Sequence, residues 1–521
     1  MDANHKPQET SNPTRSDRFV NWVLAPVAFI GGLIWIADVT LNSLAFQFYA
    51  LTIADYFAGF AYLPSSTADF PLNVLLFIPF SFGLASLLHQ LRLSRTAAAI
   101  SVLLVGFLLT WLVESLQFFL PGRTPNISDI VANTLGTLLG LALFRAWQNR
   151  RSLLAVVLKP RYLILSLIIY LLLLSALSIS LRDRARLDNW RPRFQLVIGN
   201  EKSGDRPWAG NVNNLTFFDA ALAPASIQAL LKDGEPEEIA AENLVAYYPL
   251  EDAASLSDKT ENLSDLLWQV DAGEKPADPA PQLDGRHWLR TKWAAVYLAE
   301  RLIASSQFTV MLSLSSADPL QSGPARIVSV SATPYFRNLT LGQEGQDLVV
   351  RIRTPGTGLN GTLPEYSFPD FFADQAPHNL ALTYDSLALI VYRDDRSESE
   401  TLEIVPGLTF FFALYEPFAQ TLAVNPALST IYKVLFYLLA FIPFGFLLAL
   451  LAAQLHNRIA RLVLLAMGTI LPALLLEVLL TARNAYSLRW PNILLAAAII
   501  IMSFLLLTPP ARKLIRMRRT P

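Results

Sequence analysis

Eight stretches of this chain stay apolar for about twenty residues each, at about 19–39, 71–90, 96–119, 127–147, 162–181, 429–453, 459–481 and 489–508. A helix needs roughly 20 apolar residues to cross the hydrocarbon of a bilayer, so the pattern predicts eight transmembrane helices. Between the fifth and the sixth the period changes. Runs such as "RFQLVIG", "NVNNLTFFD", "NLVAYYPLE", "QFTVMLSLS", "ARIVSVS", "DLVVRIRT" and "NLALTYDSLALIVYRDD" are short and alternating, with turn residues between them. A period of two marks strands buried on one face. The predicted fold class is an α-helical integral membrane bundle with an all-β sandwich inserted at 182–428. That segment is long enough to bury a core.

Composition agrees with this reading. Of 521 residues, 53% are hydrophobic and only 16% charged, a balance typical of membrane proteins and not of one large soluble core. The net charge of −1 hides an asymmetry: residues 182–428 hold about 20 basic and 33 acidic residues, and the rest about 21 and 9. "HQLRLSR", "RAWQNRRSLLAVVLKPR", "HNRIAR" and "RKLIRMRR" are basic, while the loop from about 40 to 70 has no Lys or Arg. The positive-inside rule then predicts both termini in the cytoplasm and residues 182–428 outside. The expected domains are a cytoplasmic tail (1–18), a five-helix region (19–181), the sandwich (182–428), a helix triplet (429–508) and a basic tail (509–521). The first apolar run lacks a small-residue cleavage site and reads as a retained helix. The absence of cysteine excludes disulfides and thiolate chemistry, and five scattered histidines (His5, His89, His287, His378, His456) lack metal-ligand spacing. No metal site is expected.

One stretch breaks the apolar pattern. "ESLQFFLPGRTPNISDIVANTLGTLLG" (114–140) gathers Glu114, Gln117, Arg123, Asp129 and Asn133, where polar groups near lipid are costly unless paired or hydrated. The predicted topology puts all five near the outer leaflet. Glu114 and Gln117 share a helix face. Asn126 can cap the next helix, whose positive end Asp129 favours. Gly136 and Gly140 form a small-xxx-small pattern for close helix contact, and Arg123 in the turn is expected to pair with Glu114 or Asp129.

An internal repeat is also legible. "LNVLLFIPFSFGLASLLHQLRLSR" (72–95) has a counterpart in "LFYLLAFIPFGFLLALLAAQLHNR" (435–458). Each is followed by a helix with a late Glu (Glu114, Glu477), a turn with an Arg (Arg123, Arg483) and a helix with an early Asn (Asn133, Asn492). The two triplets run in the same direction, as in a parallel repeat. The second copy has Leu480 and about Leu488 where the first has Gln117 and Asp129.

The 114–140 stretch closely resembles the signature of the VanZ-like membrane family: Glu-x-x-Gln, a Pro-Gly-Arg turn, then Asp-x-x-x-Asn-x-x-Gly. The resemblance covers about 19–147 and, more weakly, 429–508. It implies a link to the cell envelope and to glycopeptide (teicoplanin) resistance. In the insert, "LVAYYPLED", "HNLALTYDSLALIVYRDD" and "LVIGNEKSGDRPWAGNVNNLTFFDAALAPASIQALL" resemble the opening, central and closing phrases of the laminin-G-like, concanavalin-A-like jelly rolls. The closing phrase here comes first, so the resemblance implies either one circularly permuted sandwich or two partial modules. With the order changed, no calcium or sugar ligands are carried over, and no cofactor is expected.

Three functions follow. In the leading one, a lectin-like domain on a membrane anchor binds an envelope glycan or surface ligand, with Trp190, Trp208, Trp268, Trp288 and Trp293 available for stacking. In the second, an enzyme acts on a lipid-linked precursor, with Glu114 or Asp129 as base and Arg123 on a phosphate. The third is a transporter, suggested by the repeat and weakened by the lack of midplane charges. The expected setting is a bacterial inner membrane with the sandwich in the periplasm. The basic tail reads as an orientation signal and lipid contact, with no nucleic-acid partner.

Overall fold

The computed structural model describes residues 19–41, 46–50, 52–62, 69–120, 124–232, 234–250, 256–269, 282–415, 422–481 and 488–519. Among them eight helices are long and apolar enough to cross a membrane, as the hydrophobic pattern predicts. They are α1 (Ala25–Leu41), α2 (Asp69–Gln90), α3 (Arg95–Gln117), α4 (Ile127–Gln148), α5 (Pro160–Asp183), α6 (Pro426–Ala452), α7 (Arg458–Thr481) and α8 (Trp490–Arg519). The protein is a multi-pass membrane protein with a two-sheet β domain between its fifth and sixth spans.

Local sequence sets the helix starts. Ser94 caps α3 by accepting the Ala97 amide at 3.2 Å, and Asn425 caps α6 from Leu428 at 2.9 Å. Pro160 and Pro426 occupy first-turn positions, where a missing amide costs nothing. The side chains are distributed as a lipid solvent requires. On α3 Ile100, Leu104, Leu108 and Leu112 stand four apart and exposed, while Gly106, Thr110, Glu114 and Gln117 are buried. Apolar groups face out and small or polar groups face in.

The chain divides into two compact units, residues 1–157 and 158–521. In the first, α2 packs between α1 and α4, and α3 lies against α4. Its core is built on Ile36, Phe77, Phe80, Val102, Val113 and Phe144. In the second, α5 packs on α6 and α7, α6 on α8, and α7 on α8. Helix α5, which sequence order groups with the first four, thus belongs to the second unit. The Tyr170 hydroxyl donates to the Ala440 carbonyl at 2.9 Å, and Arg182 donates to the Leu479 carbonyl at 2.9 Å.

The β domain contains β1 (Gln195–Ile198), β2 (Ala209–Phe218), β3 (Leu244–Tyr248), β4 (Leu266–Gln269), β5 (Gln282–Asp284), β6 (Trp288–Thr291), β7 (Phe308–Ser316) and β8 (Ala325–Thr333). It continues with β9 (Phe336–Glu344), β10 (Asp347–Ile352), β11 (Glu365–Phe368), β12 (His378–Tyr384), β13 (Ala388–Arg393), β14 (Asp395–Glu403) and β15 (Ala423–Val424). One sheet has the order β15-β11-β10-β9-β8-β1-β6-β4, and the other β14-β13-β12-β7-β2-β3, with β5 on β2. Between them Leu196, Ile198, Val328, Val330, Leu339 and Leu341 pack with Leu312, Leu314, Leu380, Leu382 and Leu389 in one core. The first two strands lie inside sheets that later strands complete: β1 between β6 and β8, β2 between β3 and β7. The insert is therefore one sandwich and not two partial modules. Its strand β14, "DRSESETLE", lies at a sheet edge, and its charges are what an edge needs to avoid further pairing.

The tightest helix contact is made by the two glycines of the polar stretch. A Cβ on Gly136 would stand 2.2 Å from the Val74 carbonyl oxygen, and one on Gly140 would stand 2.5 Å from that of Ile78. Both obstacles are backbone, which cannot swing aside. We expect Gly136→Ala to destabilise the purified chain by about 1–3 kcal/mol, read as a lowered unfolding temperature in detergent. Ala at the exposed position Leu139, on the same helix, should change it far less.

Candidate functional site

The polar stretch forms a cluster at the C-terminal end of α3 and the start of α4. Glu114 is only 1% exposed, and its Oε2 accepts the backbone amide of Asn126 at 2.8 Å. Asn126, the N-cap of α4, accepts the Ser128 amide at 2.9 Å through its side chain. A carboxylate at the end of one helix thus binds the cap of the next. Deeper in, Asn133 donates to the Thr110 hydroxyl at 2.8 Å, with both residues fully buried. The Asn133 carboxamide oxygen has no hydrogen-bond partner among the described residues. Gln117 is buried as well. Asp129 is half-buried in the first turn of α4 and accepts the Ser128 hydroxyl at 3.2 Å. Arg123, and its expected pairing, lie outside the described residues.

The loop before α2 closes over this end. The Ala61 amide donates to Pro125 at 2.9 Å, and Ile127 donates back to Ala61 at 2.9 Å. The Tyr56 hydroxyl meets Ser115 at 2.7 Å, and Tyr56, Phe60, Trp111 and Phe118 form a ring cluster. The arrangement caps, pins and encloses the helix hairpin. A base would need a free carboxylate lobe facing a proton to abstract, whereas the Glu114 carboxylate is buried against the Asn126 amide.

The second unit carries a comparable junction. Glu477 of α7 accepts the Arg489 amide at 3.0 Å and faces the Asn492 carboxamide at 3.5 Å. Arg489 also donates from its guanidinium to Asp385 at 2.7 Å. Asp385 sits in the β12–β13 turn and accepts the Leu387 and Ala388 amides at 2.8 and 2.6 Å. Lys433 of α6 pairs with Glu403 of β14 at 2.7 Å. These two ion pairs fasten the sandwich to α6 and to the start of α8, both of which follow it in the chain. Neither was visible in the sequence, because each joins residues far apart in the chain.

The sandwich has polar features of its own. On its eight-stranded sheet Arg326 and Arg337 are 1% exposed, and Glu201 lies 3.8 Å from Arg326 while accepting the Ser329 and Ser331 hydroxyls. Burial pushes Arg326 down to about 9, with the charges of Arg337 and Arg351 adding to it and Glu201 opposing. Burial likewise pushes Arg337 down to about 10, with the charge of Arg351 adding to it and Glu201 and Glu365 opposing. Trp190 and Trp208 are core residues, their indoles donating to the Arg353 carbonyl and to Gln343 at 2.8 Å each. Neither can stack on a ligand. Trp268 packs against the core, Trp288 is half-buried, and Trp293 is 66% exposed.

A groove of about 490 Å³ opens on this domain, lined by Asp370, Arg393, Glu398, Ser399 and Glu400 and by Asn425, the N-cap of α6. It therefore lies next to the point where the chain enters its sixth span. Burial, with the charge of Asp370 nearby, raises the Glu400 carboxyl above the usual range. Among the described residues no three His, Asp, Glu or Cys side chains are placed to hold a metal ion. His378 bridges Asp394 and Asp374 at 2.6 and 2.8 Å.

Residues 8–148, which hold four of the spans and the whole polar stretch, match the model of the VanZ/LLP1 family and are similar to it. Neither the curated proteins nor the solved structures give a match to this chain. The jelly-roll resemblance of the insert is matched by its two-sheet architecture alone.

The geometry orders the effects of mutation. Glu114→Ala leaves the buried Asn126 amide without its acceptor and should cost about 1.5–3 kcal/mol, the range for a hydrogen bond to a charged group. Glu114→Gln retains an acceptor and should be milder, and Asp129→Asn should be near neutral. The fraction of monodisperse protein extracted from membranes checks the order. Equal yields for all three would remove the capping role of Glu114.

Proposed function

We propose that this is a membrane-anchored binding protein of the cell envelope, in which the spans hold the sandwich at the outer surface to take a polar, hydroxyl-rich ligand such as an envelope glycan. The observation that carries this reading is the groove beside the start of α6. It offers carboxylates, a guanidinium and a hydroxyl at the mouth of a span, a mixture suited to hydrogen-bonding sugar hydroxyls. Its position suits a ligand attached to, or lying close to, a membrane. The match of the first unit to VanZ-like proteins supports an envelope setting and, through the family resemblance, a link to glycopeptide resistance. The positive-inside pattern supports cytoplasmic termini and a periplasmic sandwich.

The alternative of an enzyme acting on a lipid-linked headgroup is weaker, because Glu114 is committed to the Asn126 amide. A duplication of the whole four-helix unit is favoured by specific distances. Asn126 follows Glu114 by the same twelve residues as Arg489 follows Glu477, and both amides bind their carboxylate. Caps Ser94 and Asn457 precede α3 and α7, and α1 and α5 occupy matching places against α2 and α6. This register aligns Asn492 with Asp129, each fifteen residues after its Glu, and not with Asn133 as the sequence pairing had it. It makes the sandwich an insertion into the loop that follows the first helix of the second copy.

Purified full-length chain in detergent is expected to bind one class of bacterial envelope glycan saturably in a panel tested with and without calcium. Glu398→Gln with Glu400→Gln should weaken that binding about tenfold, the equivalent of two modest hydrogen bonds. A folded chain that binds no glycan of any class would remove the glycan reading and leave the sandwich as a spacer or protein contact.

A further inference from the structure

A second cavity, of about 280 Å³, opens in the first unit at the opposite end of α3 from Glu114. It lies where α2 ends, α3 begins and α4 ends. Its polar lining is His89, Arg95, Arg145, Gln148 and Asn149, and its apolar lining includes Leu93, Leu141 and Phe144. There is no carboxylate in the lining, and none anywhere in residues 70–113 or 130–157.

One of the arginines runs against local preference. Arg95 occupies the first turn of α3, where the helix dipole disfavours a cation. Arg145 reaches across from the last turn of α4 and donates to the Arg95 backbone carbonyl at 3.4 Å, so that both arginines line the same cavity. Cations with no carboxylate among the residues lining their cavity are stabilised by an anion between them. The cavity is at the small end of ligand pockets, roughly 300–1,000 Å³. It holds a headgroup phosphate but not a lipid's chains. Its apolar wall and its place at the ends of three spans put such chains in the adjoining bilayer.

We propose that this cavity binds the phosphate diester of an anionic membrane phospholipid, with Arg95 and Arg145 as its charge partners and Gln148 and Asn149 as hydrogen-bond donors. By the positive-inside pattern the lipid comes from the cytoplasmic leaflet. The proposal does not depend on the sandwich having a ligand.

The test uses the purified full chain and counts retained lipid by native mass spectrometry, with phosphatidylglycerol compared against phosphatidylcholine. Saturable retention of phosphatidylglycerol, about tenfold above phosphatidylcholine, is expected from two basic contacts. Arg95→Gln with Arg145→Gln should abolish the preference, while Lys159→Gln with Arg161→Gln, two charges removed outside the cavity, should keep it. Equal retention of the two lipids would overturn the proposal, as would an unchanged preference in the Arg95/Arg145 variant. Complete displacement of phosphatidylglycerol by millimolar inorganic phosphate would overturn the lipid as the source of the anion. Were the double variant to fail to fold, the lipid comparison and the phosphate competition on the unaltered chain decide the matter.

Discussion

Hydrocarbon offers no hydrogen-bond partner to a peptide group, and the spans of this protein and their ends answer to that constraint. Within the spans the backbone closes on itself as helix. The exposed problem is then at the helix ends, where the first amides have no intrahelical acceptor. At α4 and α8 the solution has the same form, a buried glutamate from the preceding span accepting an amide at the start of the next. Placing a carboxylate so close to lipid is expensive in isolation. Bound to a helix start, it faces the positive end of the dipole and a donor that would otherwise be orphaned.

The same constraint separates the two kinds of core. Span surfaces cannot be driven together by the hydrophobic effect, since lipid is as apolar as leucine. They meet through small residues, as where Gly136 and Gly140 let α4 touch the α2 backbone. The sandwich, in water, is held by apolar side chains between two sheets. Where the two regimes meet, the apolar core runs on from one into the other, and ionic contacts are added to it: Arg489 with Asp385 and Lys433 with Glu403. Such pairs fix orientation through direction and distance more than through large net stabilisation.

The groove at the start of α6 and the cavity at the ends of α2, α3 and α4 share a location type, the end of a span. There the chain leaves helix geometry and polar side chains reach water without crossing hydrocarbon. The two sites differ in charge, one rich in carboxylates and the other containing none. That difference follows the partition of charge along the sequence, acidic in the insert and basic in the short loops between spans.

The sequence by itself determined the eight spans, the eight strongly alternating strands, and the VanZ-like character of residues 114–140. Each of these rests on periodicity or on neighbours within about twenty positions, and lipid and water sort such patterns with little help from the rest of the chain. Strands β4, β5, β6, β9, β11, β14 and β15 were not singled out, because they are short, polar or at edges, and pairing rather than pattern makes them strands. Helix α5 shows the same limit: nothing in its uniform leucines tells which neighbours it takes. The tertiary structure decided that placement, joined the insert into one sandwich, and buried Trp190 and Trp208, two of the tryptophans proposed for a ligand. It also turned Glu114 from a candidate base into a cap, because only the fold brings the Asn126 amide within 2.8 Å of its carboxylate.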